Sequence, residues 1–400
     1  MMLKNKKILL GIPGGIAIYR TLDLIDLLKE EGASVKVILT SNAKKFVTPL
    51  TFKSVIGSNN TVFSDEEFFT NALQHIELAR WADLFVIIPA SANTIAKMAN
   101  GISDNLLLST YVAYDGKTAI VPAMNPIMWQ QKSIRNSIAF LKQNGVALWG
   151  PQQGKVTCGD YGFGKMLNIN DITAHITKEL FPQALLNKKV VITAAATVEE
   201  LDEVRFFSNY SSGKMGYALA QIASFLGANV TLVSGPSYLN PPLFCNFIAV
   251  KSAKEMEIAT TTNAHNADFL IMAAAVTDFT SLSKFSGKVT KEELINKFCL
   301  TLNNDILLKL TSSLTPKPFC VGFALESDNL IHKAKAKLLK KGADVIVANL
   351  MGENTGFTSD TNEVYVVSKK NITNIPLMPK NKLAVAIWAE LLDLYLHKNN

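Results

Sequence analysis

Ile8-Leu-Leu-Gly-Ile-Pro-Gly-Gly-Ile-Ala17 leads into an amphipathic stretch that runs to about Glu31, and Val35-Lys-Val-Ile-Leu39 follows it. Residues 8–12 are apolar and β-rich, Pro13-Gly14-Gly15 supplies a turn, and apolar residues then recur at helical spacing. Strand, glycine turn, helix and second strand make a βαβ unit. Such a unit implies a parallel sheet whose ligands sit beyond the carboxyl ends of its strands. Further apolar runs at 84–88, 118–121 and 146–149 alternate with helical patterns, which predicts a sheet covered on both faces.

The plan starts again downstream. Strands are predicted at 189–193, 230–233, 269–272, 319–323 and 345–348, with a helix over 217–226. Glu31-Gly-Ala-Ser-Val-Lys-Val37 is echoed by Leu226-Gly-Ala-Asn-Val-Thr-Leu232, the shared grammar of a glycine that ends a helix before the next strand. The fold class is therefore α/β, with two doubly wound parallel-sheet domains at 1–182 and 183–400. Their seam is placed within 181–188, where Pro182 and two lysines precede a new first strand.

Composition narrows the function. A chain of 400 residues exceeds the size at which a single core keeps growing, and 48% hydrophobic against 18% charged residues describes packed domains without long disorder. The net charge of +7 is spread along the chain, which suits small anionic ligands and not a nucleic acid. Four scattered cysteines, with no CxxC and no HExxH, write neither a disulfide framework nor a zinc site. No apolar stretch reaches the length of a membrane span, so a cytoplasmic protein is expected.

The loops after the strands carry the chemistry. In the first half Gly11–Gly15 lacks GxGxxG, while Thr40, Ser91, Asn93 and Thr94 offer hydroxyls and amides to a single phosphate, which fits a flavin mononucleotide (FMN). His75 opens the helical segment His75-Ile-Glu-Leu-Ala-Arg-Trp81 and is a candidate base; a lone helical histidine is usually structural. Cys158 lies in Thr157-Cys-Gly-Asp-Tyr-Gly-Phe-Gly164, read as a mobile glycine loop that exposes a thiol for proton transfer. In the second half Arg205-Phe-Phe-Ser-Asn-Tyr-Ser-Ser-Gly-Lys-Met-Gly216 joins small hydroxyl and glycine residues to Lys214 just before a helix. That is a phosphate cradle, though not of the Walker spacing.

In order along the chain, Gly14-Gly-Ile-Ala17, His75-Ile-Glu-Leu78, Pro122-Ala-Met-Asn125 and Cys158-Gly-Asp160 resemble one known family. So do Ser208-Asn-Tyr-Ser-Ser-Gly-Lys-Met-Gly216, Ala273-Ala-Ala-Val-Thr-Asp278, Val321-Gly-Phe-Ala324, Ala348-Asn349 and Gly356-Phe357. It is the family of bifunctional phosphopantothenoylcysteine decarboxylase/phosphopantothenate–cysteine ligases of coenzyme A biosynthesis. The resemblance implies a flavodoxin-like flavoprotein decarboxylase followed by a Rossmann-like ligase domain.

The first half, by that resemblance, holds FMN at Gly14, Gly15, Ile16, Ala17, Thr40, Ser91 and Asn93 and converts 4'-phosphopantothenoylcysteine to 4'-phosphopantetheine through a thioaldehyde. His75 is then the base, Asn125 the amide that holds the substrate carboxylate, and Cys158 the acid that protonates the ene-thiol. The second half uses CTP and Mg²⁺ to activate 4'-phosphopantothenate as an acyl-cytidylate, which the amine of cysteine attacks. Asn209 handles that intermediate. Asp278, Lys288, Asn304, Asp305, Ile306, Leu307, Phe323, Lys337 and Lys341 bind the nucleotide, and Lys214 binds phosphate.

A homo-oligomer is implied, with neither nucleic acid nor membrane as partner. The chain departs from the family at Pro13, usually serine, and at Ala195-Ala-Thr-Val-Glu199, usually of the type Gly-Pro-Thr-Arg-Glu. Leu302 and Leu350 stand where lysine and aspartate are common. The alternative left open is a decarboxylase whose ligase half is weakened, which CTP-dependent pyrophosphate release distinguishes.

Overall fold

The structure is a computed structural model that describes residues 1–58, 61–66, 71–282, 287–292, 299–352, 356 and 359–399. Phe357 of the Gly356-Phe357 pair lies outside the described residues. The chain forms two compact units, Met1–Phe181 and Pro182–Asn400.

The first unit is built on six parallel strands: β1 (Lys7–Ile12), β2 (Ser34–Leu39), β3 (Val62–Ser64), β4 (Leu84–Ala90), β5 (Lys117–Pro122) and β6 (Ala147–Leu148). They lie in the order β3-β2-β1-β4-β5-β6, so the strand order reverses between β1 and β4. All seven residues of β4 are buried, as a strand covered on both faces requires. Helices Arg20–Glu30 and Ile169–Leu180 pack Leu24, Leu28, Ile172 and Ile176 on one face. Ala92–Ala99, Leu106–Ala113 and Lys132–Gln143 pack Ile95, Leu107 and Leu141 on the other. Each such fully buried aliphatic side chain contributes about 1.5–3 kcal/mol relative to exposure. β3 was absent from the sequence reading because three residues, Val62-Phe-Ser64, show no period.

The helix expected from Ala17 begins instead as a 3₁₀ turn, Ile16–Tyr19, and becomes α-helical at Arg20. The glycine segment read as a mobile loop is a hairpin, β7 (Gln152–Lys155) paired antiparallel with β8 (Tyr161–Lys165). Two of its glycines permit close packing. A Cβ on Gly164 would lie 2.3 Å from the Met124 carbonyl, and one on Gly162 would lie 2.9 Å from Pro126.

The second unit repeats the scheme with β9 (Lys189–Ala194), then the short hairpin β10 (Val198–Glu200) and β11 (Phe206–Ser208), then β12 (Asn229–Ser234), β13 (Cys245–Ala249) and β14 (Phe269–Met272). A second short hairpin, β15 (Phe279–Ser281) and β16 (Leu300–Leu302), precedes β17 (Phe319–Glu326) and β18 (Val345–Leu350). Six parallel strands take the order β13-β12-β9-β14-β17-β18, the counterpart of the first sheet. Antiparallel β19 (Thr361–Ser368) and β20 (Ile372–Pro379) then extend the sheet, an addition that the repeat of βα units did not announce. The closing helix Lys380–Asn399 packs on helix Lys214–Phe225, where the Trp388 indole donates to the Leu219 carbonyl at 2.9 Å.

Helix Lys214–Phe225 starts a turn earlier than read from sequence. Gly216 is there for packing, since a Cβ would come within 2.6 Å of Ala194. Among the described residues no helix is long and apolar enough to cross a membrane.

Candidate functional sites

In the first unit a cavity of about 500 Å³ opens at the carboxyl edge of the sheet, where the strand order reverses between β1 and β4. Gly14, Gly15, Ile16 and Ala17 form one wall, Ser91 another, and Asn125 and Cys158 a third. A Cβ on Gly14 would meet Asn42 at 2.8 Å, so the absence of a side chain lets the two strand-end loops close on each other. Ser91 caps helix Ala92–Ala99, its Oγ accepting from the Thr94 amide at 3.3 Å. The volume and the glycine-lined turn fit a flavin mononucleotide.

Asn125 and Cys158 are 33 residues apart in sequence, and the Asn125 Nδ2 lies 3.2 Å from the Cys158 Sγ. The same amide donates to Asp160 Oδ2 at 2.5 Å, and the Cys158 thiol donates to that oxygen at 3.5 Å. The hairpin is what brings them together. The Met124 amide donates to the Gly164 carbonyl at 3.0 Å, Gly159 turns with φ +95°, and the thiol is presented at the tip, exposed. Asp160 is a site residue the sequence reading passed over; its signal is the Cys-x-Asp spacing in a tight turn.

Three expected residues stand off the cavity wall. His75 occupies the first turn of helix Gln74–Trp81, Thr40 turns its hydroxyl to the Ala43 amide at 3.2 Å, and the Asn93 side chain is exposed.

The second unit carries a cleft of about 320 Å³ over the carboxyl ends of β14 and β17. It gathers Asn209, Asp278, Asn304, Asp305, Ile306, Leu307, Phe323, Lys337 and Lys341 from five segments of chain. Asn209 Nδ2 donates to the Ala275 carbonyl at 3.0 Å, and Asn303 Nδ2 donates to the Thr277 carbonyl at 3.0 Å. Asp305 caps helix Ile306–Ser313 and pairs with Lys341 at 3.3 Å. Lys337 pairs with Glu326 at 2.6 Å. Burial alone raises the Glu326 carboxyl, but Lys337 and Lys333 outweigh it and hold it below the usual carboxylate range. The Asn304 amide donates to Glu257 at 3.1 Å, which turns it partly toward helix Ala253–Ala264.

Lys288 is exposed and off this wall, but its neighbour Val289 is anchored. The Arg205 guanidinium donates to the Val289 carbonyl at 2.8 Å and pairs with Asp202, whose carboxyl it holds well below the ordinary range.

A smaller cavity of about 140 Å³ adjoins the cleft and shares Phe323 and Leu325 with it. Ser211, Ser212, Gly213 and Lys214 line it, and Lys380, which the sequence reading did not single out, lines it too. The departures from the family pattern are legible here. Ala195, where glycine is usual, has φ +63° and is fully buried against Gly213, so it holds a left-handed backbone with a Cβ. Glu199 keeps its place: buried, it accepts from the Ala253 amide at 2.8 Å and from the Thr280 hydroxyl at 2.6 Å. Leu302 is exposed on β16, and Leu350 is exposed at the end of β18.

Two sheets with ligand-sized cavities at their carboxyl edges, the first flavin-sized with a thiol and an amide on its wall, define a two-domain flavoprotein enzyme. The flavoprotein family profile matches residues 1–181, and that of the DNA/pantothenate metabolism flavoprotein C-terminal domain matches residues 185–395. The chain is 40% identical over 398 residues to the coenzyme A biosynthesis bifunctional protein CoaBC of Vibrio vulnificus (strain YJ016), covering 99% of each chain. It is 36% identical to that of Escherichia coli (strain K12), covering 100% of each. The crystal structure of the C-terminal domain of a coenzyme A biosynthesis bifunctional protein CoaBC shares 36% identity, with a TM-score of 0.47, covering 55% of this chain and 100% of that one. The chain belongs to the family of coenzyme A biosynthesis bifunctional proteins.

Proposed function

We propose that the chain catalyses two successive steps of coenzyme A biosynthesis. The second unit ligates cysteine to 4'-phosphopantothenate with CTP, and the first decarboxylates the product to 4'-phosphopantetheine with FMN. The observation that carries this reading is the Asn125–Cys158–Asp160 cluster on the wall of a flavin-sized cavity, in a chain that matches its bifunctional relatives from end to end.

Bound at Gly14–Ala17 and Ser91, the flavin supplies the two-electron redox chemistry that makes loss of the substrate carboxylate easy. The chain's own groups do the rest. Asn125, a neutral amide, holds the carboxylate without the ground-state stabilisation a cation would bring to a group that must leave. Asp160 accepts from both Asn125 and Cys158, which aims the thiol; Asp160 is thus a positioning residue and Cys158 the acid. The family resemblance alone assigns His75 as the base and Thr40 and Asn93 to the flavin site, since all three stand off the wall of this cavity.

In the ligase half, Asp278, Asn304–Leu307, Phe323, Lys337 and Lys341 hold the cytidine triphosphate, with Mg²⁺ arriving on its phosphates. The family resemblance assigns Lys288, which is exposed beside the Val289 that Arg205 anchors, to the same nucleotide. Asn209 donates to the developing oxyanion as the amine of cysteine attacks the acyl-cytidylate and CMP leaves. The protein works in the cytoplasm as a homo-oligomer. An absorption spectrum of the purified chain tests the cofactor, and CTP-dependent pyrophosphate release tests the ligase. A colourless protein, or one that releases no pyrophosphate, rejects the corresponding half.

A further inference from the structure

Glu199 is buried on β10 and stands at the start of helix Ala253–Ala264. Its Oε1 accepts from the Ala253 amide at 2.8 Å and from the Thr277 hydroxyl at 3.2 Å, and its Oε2 accepts from the Thr280 hydroxyl at 2.6 Å. A buried carboxyl is costly unless donors surround it, and here a helix N-terminus and two hydroxyls do so. Glu199 is not on the wall of the nucleotide cleft. Its bonds lead to that wall.

The two threonines flank Asp278, whose own side chain is exposed and lines the cleft. Thr280 sits in the middle of β15, opposite Thr301 of β16, and the Asn303 amide just beyond β16 donates to the Asp278 carbonyl at 2.8 Å. Thr277 is held from the other side as well. Its amide donates to the Thr197 Oγ at 2.9 Å, and the two hydroxyl oxygens are 3.1 Å apart. Because the Thr277 hydroxyl donates to Glu199, the Thr197 hydroxyl is the donor within that pair. The residues before and after Asp278 are therefore pinned to one buried network, while the Asp278 carboxylate itself faces the cleft.

We propose that Glu199 is a positioning residue of the ligase cleft, where it fixes the Asp278 carboxylate for the nucleotide through the hydroxyls of Thr277 and Thr280. The inference rests on the ligase reading above, in which Asp278 meets CTP. Without the carboxyl, a buried amide and two hydroxyls lose their acceptor, and the segment that carries Asp278 loses its support from behind. The consequence for binding is then confined to what Asp278 contributes, which separates positioning from a general loss of stability.

The test is a double-mutant cycle read as CTP affinity, by calorimetric titration of CTP with Mg²⁺ into the full chain in the absence of 4'-phosphopantothenate. Asp278→Asn should weaken CTP about tenfold in the parent. Glu199→Met should weaken it about 10- to 100-fold, and Asp278→Asn should then add less than about twofold, because the carboxylate it removes is already out of place. Thr280→Val removes one half-buried hydroxyl, keeps the test open if Glu199→Met does not fold, and should likewise shrink the Asp278→Asn penalty. Glu199→Gln keeps an acceptor for the Ala253 amide and offers its NH₂ group to a threonine hydroxyl, so it should hold CTP within about threefold of the parent. A purely structural Glu199 would lower the urea midpoint and leave the Asp278→Asn penalty whole in every background. That additivity, or parent-like CTP affinity in Glu199→Met, overturns the inference. A parent that binds CTP and shows additive penalties rejects the role of Glu199 alone, whereas a parent that binds no CTP rejects the ligase reading and this inference with it.

Discussion

Replacing Gly164 by alanine perturbs the positioning of the Cys158 thiol without touching the thiol itself. The new Cβ would lie 2.3 Å from the Met124 carbonyl oxygen and 3.2 Å from the Pro126 nitrogen, both backbone atoms that cannot rotate away. A carbon and a carbonyl oxygen settle at about 3.3 Å, so the β7–β8 hairpin must retreat by about 1 Å. The 3.0 Å bond from the Met124 amide to the Gly164 carbonyl is then lost. That loss costs about 1–3 kcal/mol, which a domain stable by about 5–15 kcal/mol survives. Catalysis is less forgiving, since a displacement of about 1 Å between reacting groups costs on the order of 100-fold in rate.

Gly164→Ala should therefore keep its flavin spectrum and its ligase turnover while kcat/KM for release of carbon dioxide from 4'-phosphopantothenoylcysteine falls about 100-fold. Decarboxylation within twofold of the parent would refute the positioning argument. An equal fall in both activities would mean that the substitution unfolds the chain.

Three further outcomes are expected. Cys158→Ser keeps the size of the side chain but offers a far weaker acid, so carbon dioxide should still be released while the yield of 4'-phosphopantetheine collapses; an unaltered yield removes Cys158 from the proton transfer. Ala195→Gly should raise the urea midpoint of the second unit, because the left-handed conformation at φ +63° costs alanine about 1–2 kcal/mol and glycine only about 0.5–1 kcal/mol in unfolded-chain entropy. A lowered midpoint would show that the Cβ packing outweighs the strain. Asn209→Ala should release pyrophosphate at a parent-like rate but transfer the acyl group to cysteine about 100- to 1000-fold more slowly, with acyl-cytidylate accumulating in a rapid quench. Slow transfer without accumulation would move Asn209 to the activation step.

The parallel sheets were legible because strands buried on both faces read as unbroken apolar runs; β4 and β14 are entirely buried. What escaped the sequence reading was short, glycine-rich or added at an edge. β3 has three residues, too few for a period, and β7 and β8 hide behind glycines whose role is to let backbones touch. The turn at Ser211–Gly213 that opens a helix was legible from its small residues. Lys380 was not, because a lysine at the start of an amphipathic helix reads as solvated, and only the antiparallel pairing of β19 with β20 carries it to that turn. The acids Asp160 and Asp360 share that history: each acquires its partner through a turn or pairing that the spacing of charges does not reveal.

The central claim is that both halves work in sequence on one substrate. It is tested most directly by incubating the purified full chain with 4'-phosphopantothenate, cysteine, CTP and Mg²⁺ and counting products. The account predicts one CMP, one pyrophosphate and one carbon dioxide for each 4'-phosphopantetheine formed. No CMP, in a preparation that still decarboxylates supplied 4'-phosphopantothenoylcysteine, would contradict it.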